Sequence, residues 1–137
     1  MALKKQVAYL GIQTHFNSSP NTVYHVTLDY LGNKTDDYIN SVLSSAPLGK
    51  PVIFNTNYVG RYKDTNLGYS VELPDALVPF FKHEIPHITT LCVNGGKPVD
   101  TWKAFTDIPE SEKTTVMLLL VGIVGWFDHK GNFHTEW

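Results

Sequence analysis

Two short stretches, Tyr24-His25-Val26-Thr27-Leu28 and Pro86-His87-Ile88-Thr89-Thr90-Leu91, are near-copies of one another, and they constrain this chain more than any other feature. Both are apolar, β-branched runs of the kind that form strands. Side chains of an extended strand alternate between faces, so His25 and Thr27 share one face while Val26 and Leu28 take the other. The second copy repeats the arrangement, with His87 and Thr89 opposed to Ile88. A sheet that sets the two strands side by side gathers two imidazoles and two hydroxyls on one surface, backed by apolar packing. One His-x-Thr says little, because six histidines in 137 residues give about one such triplet by chance. Two copies say more. From the residues alone, half-buried strands whose histidines only bond their neighbours stay open as a second reading.

For phosphodiester cleavage, such a surface has suitable chemistry without a metal. One neutral imidazole takes a proton from the nucleophile, and a protonated one gives a proton to the leaving oxygen. Histidine suits both tasks because its unperturbed pKa, about 6.5, lies near working pH. The hydroxyls supply fixed donors where negative charge builds up. A rival motif crosses the second copy: His83-Glu84-Ile85-Pro86-His87 matches the zinc-protease pattern H-E-x-x-H. That pattern works on a helix, where both histidines reach one face. Pro86 drives Ile85 out of the helical region and Ile88-Thr89-Thr90 continues as strand, so no metal and no cofactor are expected. His15, His129 and His134 add no ligand spacing and read as loop or turn residues.

The runs His25-Val26-Thr27-Leu28-Asp29-Tyr30-Leu31-Gly32 and His87-Ile88-Thr89-Thr90-Leu91, with Lys97-Pro98-Val99-Asp100-Thr101 after them, resemble the two-histidine (2H) phosphoesterase superfamily. The likeness points to its branch of 2′,3′-cyclic-nucleotide phosphodiesterases; viral enzymes that destroy cyclic-nucleotide alarm signals belong to the same superfamily. It spans most of 5–135 and rests on the order of elements more than on identity outside the motifs. What it implies is an α+β fold, a two-lobed antiparallel sheet with few helices. His25 and His87 would be acid and base, in an order the sequence leaves open, and Thr27 and Thr89 would bind phosphate. Tyr30 stands where that branch stacks an aromatic on the base, and Pro98 and Val99 stand where it lines the sugar pocket. Position 85 is Ile where a basic residue is expected, so the phosphate charge falls to Lys97 or Arg61. The substrate implied is a cyclic oligonucleotide signal of an antiviral defence, cut by a compact viral enzyme in the cytoplasm of an infected cell. Two alternatives remain: a 2′,3′-cyclic phosphate on a nucleotide or RNA end, and a module that binds nucleotides without cutting them.

A length of 137 residues suits one domain, 1–137, able to bury a core without disulfide or metal. Cys92 is the only cysteine, which excludes an intrachain disulfide, and Met1-Ala-Leu-Lys-Lys lacks the apolar stretch of a signal peptide. An intracellular protein is expected. The most apolar run, 116–127, is far shorter than the roughly 20 residues of a membrane-spanning helix and reads as a buried strand. A net charge of −2 gives no basic footprint for a long nucleic acid, so a small nucleotide is the expected partner. Three Trp and seven Tyr provide rings enough to stack on a base. In chain order, strands are expected at 5–13, 22–31, 52–62, 67–73, 87–93 and 115–128, and 133–137 pairs with the last of these. Thr35 caps a helix over 35–43 with acids in its first turn, and 75–84 has a weaker helical pattern. The stretches 15–21 and 94–98 read as loops, and Gly95-Gly96 beside Lys97 fits either a plain turn or an approach to phosphate.

Overall fold

A computed structural model describes residues 6–106 and 114–137. The fold is α+β with few helices. Its strands are β1 (Val7–Phe16), β2 (Ser19–Tyr30), β3 (Pro51–Tyr62), β4 (Asn66–Glu72), β5 (His87–Cys92), β6 (Thr114–Thr115), β7 (Leu119–Asp128) and β8 (Phe133–His134), and the helix α1 is Asp36–Ser45. All pairings are antiparallel, in the order β6-β3-β4-β5-β2-β1-β7-β8. β7 also pairs with β3, so six strands close into a barrel, a closure that the pattern of apolar residues did not announce. Gly122, at the middle of β7, sits opposite Thr14 of β1 on one side and Val52 of β3 on the other.

The motif strands divide as their alternation requires. Val26, Leu28 and Ile88 are fully buried in a core shared with Leu10, Ile12, Val124 and Trp126, and with Ile39 and Leu43 from α1. Each such side chain contributes about 1.5–3 kcal/mol through burial. The Thr35 hydroxyl caps α1 by accepting from the Tyr38 N–H at 3.2 Å, and the helix stops at Ala46, just before Pro47.

Several boundaries differ from the sequence reading. β1 continues to Phe16, and a two-residue turn at Asn17-Ser18 replaces the expected loop over 15–21. Phe16 is buried with its ring 5.1 Å from Tyr24 and 5.4 Å from Tyr69, which rewards extending the strand. Lys5, the expected start of this strand, and Met1-Ala-Leu-Lys-Lys as a whole lie outside the described residues. The helical pattern at 75–84 is a 3-10 helix, Asp75–Phe80, with Pro79 near its end. His83-Glu84-Ile85 is then a bend, so H-E-I-P-H is not helical. A second 3-10 helix, Pro98–Phe105, was not anticipated; eight residues of 3-10 geometry leave no 3.6-residue period to detect. His134 is no free loop residue. It lies on β8, stacked 4.0 Å from Trp126, with Nε2 2.9 Å from Asp128. That contact, assisted by the N–H groups of Asn132 and Lys130, holds the Asp128 carboxyl down at about 2.

The expected strand 115–128 is interrupted at 116–118, where Thr56 mends the ladder. Its fully buried hydroxyl donates to the Val116 carbonyl and accepts from the Leu118 N–H at 2.8 Å. Thr56→Val keeps the shape but strands both backbone groups. We expect it to remove about 2–3 kcal/mol and lower Tm by about 6–10 °C in thermal unfolding, while Thr56→Ser stays close to wild type. A valine variant as stable as wild type would refute the bridging role.

Candidate active site

β2 and β5 are neighbours through the pair Val26 and Ile88, and antiparallel pairing about that point sets Thr27 beside His87 and His25 beside Thr89. All four side chains line one cavity of about 220 Å³. Each motif strand is held from its outer side in the same way. Gly11 of β1 lies against the Val26 carbonyl and Gly68 of β4 against the Ile88 carbonyl, so a Cβ at these positions would meet those oxygens at 2.6 and 2.3 Å. Both glycines follow a leucine at a register shift, Leu10/Gly11 and Leu67/Gly68. Extra residues of this kind let a strand bend and bring backbones unusually close, which only glycine permits. The repeat is therefore larger than the motif: a Leu-Gly strand beside a His-x-Thr strand, twice.

The two histidines are held differently. The His25 ring packs against the stacked pair of Tyr9, at 5.2 Å, and Phe127, at 5.5 Å between centroids. Burial, with a smaller contribution from His87, pushes its pKa below 6.5 and favours the neutral imidazole. The same burial, with Tyr30 nearby, lifts the Tyr9 phenol to about 12. His87 instead points Nδ1 at the Ile85 carbonyl, 2.8 Å away. A carbonyl only accepts, so Nδ1 carries hydrogen, and Nε2 is the nitrogen left for the cavity.

The rest of the lining comes from two walls, and sequence reasoning found part of each. Tyr30, Phe81, His83, Glu84 and Ile85 form the wall that leads into His87. Tyr30 is 40% exposed and meets the edge of the His83 ring at 4.8 Å, which leaves it surface for a flat ligand. His83, considered above only as a zinc ligand, is the residue most clearly missed. Burial lowers its pKa, and its Nε2 is the one buried side-chain polar atom without a hydrogen bond among the described residues. Its place just before the second motif was the available signal. On the opposite side, Pro98, Val99 and Trp102 of the second 3-10 helix complete the lining.

Lys97 does not join them. Its side chain is exposed, its carbonyl accepts from Asn66 at 2.7 Å, and neither it nor Arg61 borders the cavity. Among the described residues no lysine or arginine lines the pocket, and Glu84 is the only carboxylate that does. The expectation that Lys97 or Arg61 offsets phosphate charge thus finds neither residue in the lining, where among the described residues only histidines are able to carry positive charge. Among the described residues no three His, Cys, Asp or Glu side chains gather closely enough to hold a metal ion, and no helix is long and apolar enough to cross a membrane. Compared with known proteins, the chain matches no protein-family model and no curated protein.

Proposed function

We propose that this chain is a metal-independent phosphodiesterase of the two-histidine kind, acting on nucleotide phosphodiester bonds. The observation that carries the reading is the convergence of both His-x-Thr pairs on one cavity. The paired Leu-Gly and His-x-Thr strands also supply two like halves, which is what the two-lobed arrangement of that superfamily calls for, here within a closed barrel.

The difference between the histidines supports an assignment of roles. His25, biased toward the neutral form, is the base that takes the proton from the attacking hydroxyl. His87 holds Nδ1–H on a carbonyl, which turns Nε2 to the cavity, and is the acid that delivers a proton from Nε2 to the leaving oxygen. With a ribose substrate the neighbouring 2′-hydroxyl attacks phosphorus, the bond to the 5′-oxygen breaks, and a 2′,3′-cyclic phosphate forms. Holding the hydroxyl in line makes the attack intramolecular and strongly favoured. Thr27 and Thr89 donate to the non-bridging oxygens.

A lining in which no described residue is lysine or arginine suits a phosphodiester, with its single negative charge, better than a phosphomonoester. Internal linkages and 2′,3′-cyclic phosphates both meet this condition, and of the two a cyclic oligonucleotide signal cut by a viral protein is the substrate we propose. The deciding experiment incubates the protein in EDTA with 2′,3′-cyclic mononucleotides and with cyclic di- and trinucleotides, ribose and deoxyribose, and weighs the products. Ribose cyclic oligonucleotides should be opened and deoxy ones left intact. Cleavage confined to 2′,3′-cyclic mononucleotides would move the substrate to RNA ends. Binding without cleavage would leave a nucleotide-binding module.

The rate should rise and fall with pH, because one imidazole must be neutral and the other protonated. A base with a lowered pKa sheds its proton at lower pH, so the rising limb is expected below 6.5. Its midpoint belongs to the coupled pair, since the charge of His87 contributes to the shift. A rate that only climbs with pH in steady-state assays would rule out the assignment.

A further inference from the structure

Thr89 and Thr27 present their hydroxyls in unlike settings. No hydrogen bond to the Thr27 hydroxyl occurs among the described residues. The Thr89 oxygen lies 2.8 Å from Oγ1 of Thr101 and 3.3 Å from the Pro98 carbonyl. Thr101 is fully buried and accepts from Nδ2 of Asn66 at 3.1 Å. The Asn66 amide, also buried, is fixed at both ends: Nδ2 donates to the Lys97 carbonyl at 2.7 Å, and Oδ1 accepts from the Thr65 hydroxyl at 2.6 Å. It cannot turn its oxygen toward Thr101 without breaking both bonds. Thr101 thus receives one proton from Asn66 and has one of its own to give, with the Thr89 oxygen within reach.

In the free pocket the Thr89 hydroxyl donates to Thr101. An anion in the cavity is a stronger acceptor than a neutral hydroxyl. We propose that Asn66 and Thr101 form a relay that turns the Thr89 proton onto a bound phosphodiester oxygen. The bound sequence runs from the Asn66 N–H to Thr101, from the Thr101 O–H to Thr89, and from the Thr89 O–H to the ligand. Two hydroxyl rotations accomplish the change, and no covalent bond is made or broken. Each donor in such a chain is strengthened by the one behind it. The relay rests on Thr89 being a phosphate ligand, as argued above; Asn66 and Thr101 are positioning residues that act through it. Without Thr101, the Pro98 carbonyl becomes the competing acceptor and draws the Thr89 proton away from the cavity.

The test is a double-mutant cycle on binding of a 2′-deoxydinucleoside monophosphate by calorimetry, with cleavage of its ribose counterpart measured in parallel. Thr89→Val and Thr101→Val should each weaken binding about tenfold or more, and the double variant should be no weaker than Thr89→Val alone. Thr101→Ser should restore binding, and the pH limbs of cleavage should not move. Should Thr101→Val fail to fold, Asn66→Asp replaces the donor with an acceptor, reverses the relay and should weaken binding similarly. Losses that multiply in the double variant, or a serine variant no better than valine, would overturn the relay. Binding without ribose cleavage keeps the relay and removes the phosphodiesterase reading. Absence of binding to wild type removes both.

Discussion

Replacing His25 or His87 with alanine is expected to cut turnover of the preferred substrate by about 100-fold or more, since general acid and general base steps are each typically worth 10²–10⁴. The two losses should differ in kind. Without His25 the attacking hydroxyl loses its general base, and the rising limb of the pH profile should vanish with the activity. Without His87 the leaving oxygen departs as an alkoxide, unless it belongs to a group that is stable as an anion. A nitrophenyl phosphodiester should therefore recover much of the lost rate in His87→Ala and little of it in His25→Ala. Equal rescue of both variants would erase the distinction drawn from the ring packing of His25 and the carbonyl tether of His87. Near-full activity in either alanine variant would end the catalytic reading.

The second large effect is structural and concerns Gly68. A Cβ there would stand 2.3 Å from the Ile88 carbonyl oxygen and 2.7 Å from Cγ2 of the buried Thr101. The first of these is backbone, so no rotamer change relieves it, and β4 must move away from the strand carrying His87 and Thr89. Overpacking usually costs about 1–3 kcal/mol, and a clash with backbone belongs at or above the top of that range. Gly68→Val should lower Tm by about 10 °C or more and abolish cleavage even where the protein remains folded. Gly68→Ala should follow with a smaller loss, because the Cβ itself is the clashing atom. Gly11→Val should act likewise on the other motif strand through the Val26 carbonyl. A Gly68→Val protein that melts with wild type would show that this close approach is not required.

The sequence was legible where one side chain decides one outcome. Alternation placed Val26 and Ile88 in the core and the His-x-Thr side chains on the cavity face, Thr35 capped its helix, and Pro86 kept H-E-I-P-H out of a helix. It was opaque where tertiary pairing decides. Leu10-Gly11 and Leu67-Gly68 look like unrelated dipeptides until the register sets each against a motif strand. Closure through β3 and β7 depends on both edges of one strand being paired, which alternation does not encode. Lys97 was chosen for its charge and its neighbouring glycines, but the backbone there turns its carbonyl to Asn66, and Thr101, four residues on, is what reaches Thr89. His83 and Glu84 entered the sequence reading only through the metal motif; the bend places both in the wall of the cavity.

The barrel is not equally tied around its circumference. β3 and β7 pair without interruption from Pro51 opposite Ile123 to Asn55 opposite Leu119, whereas β2 and β5 meet at Val26 and Ile88. The two motif strands thus form the slack seam of a hoop whose clasp lies on the far side. Their spacing is governed as much by that clasp as by anything within the pocket. A seam tied at one pair opens more readily than the clasp, so amide exchange should be quick along β5 and slow along β7. Damage beside the clasp, such as loss of the Thr56 bond to the Val116 carbonyl, would be felt across the barrel as a change in the spacing of the two motif strands.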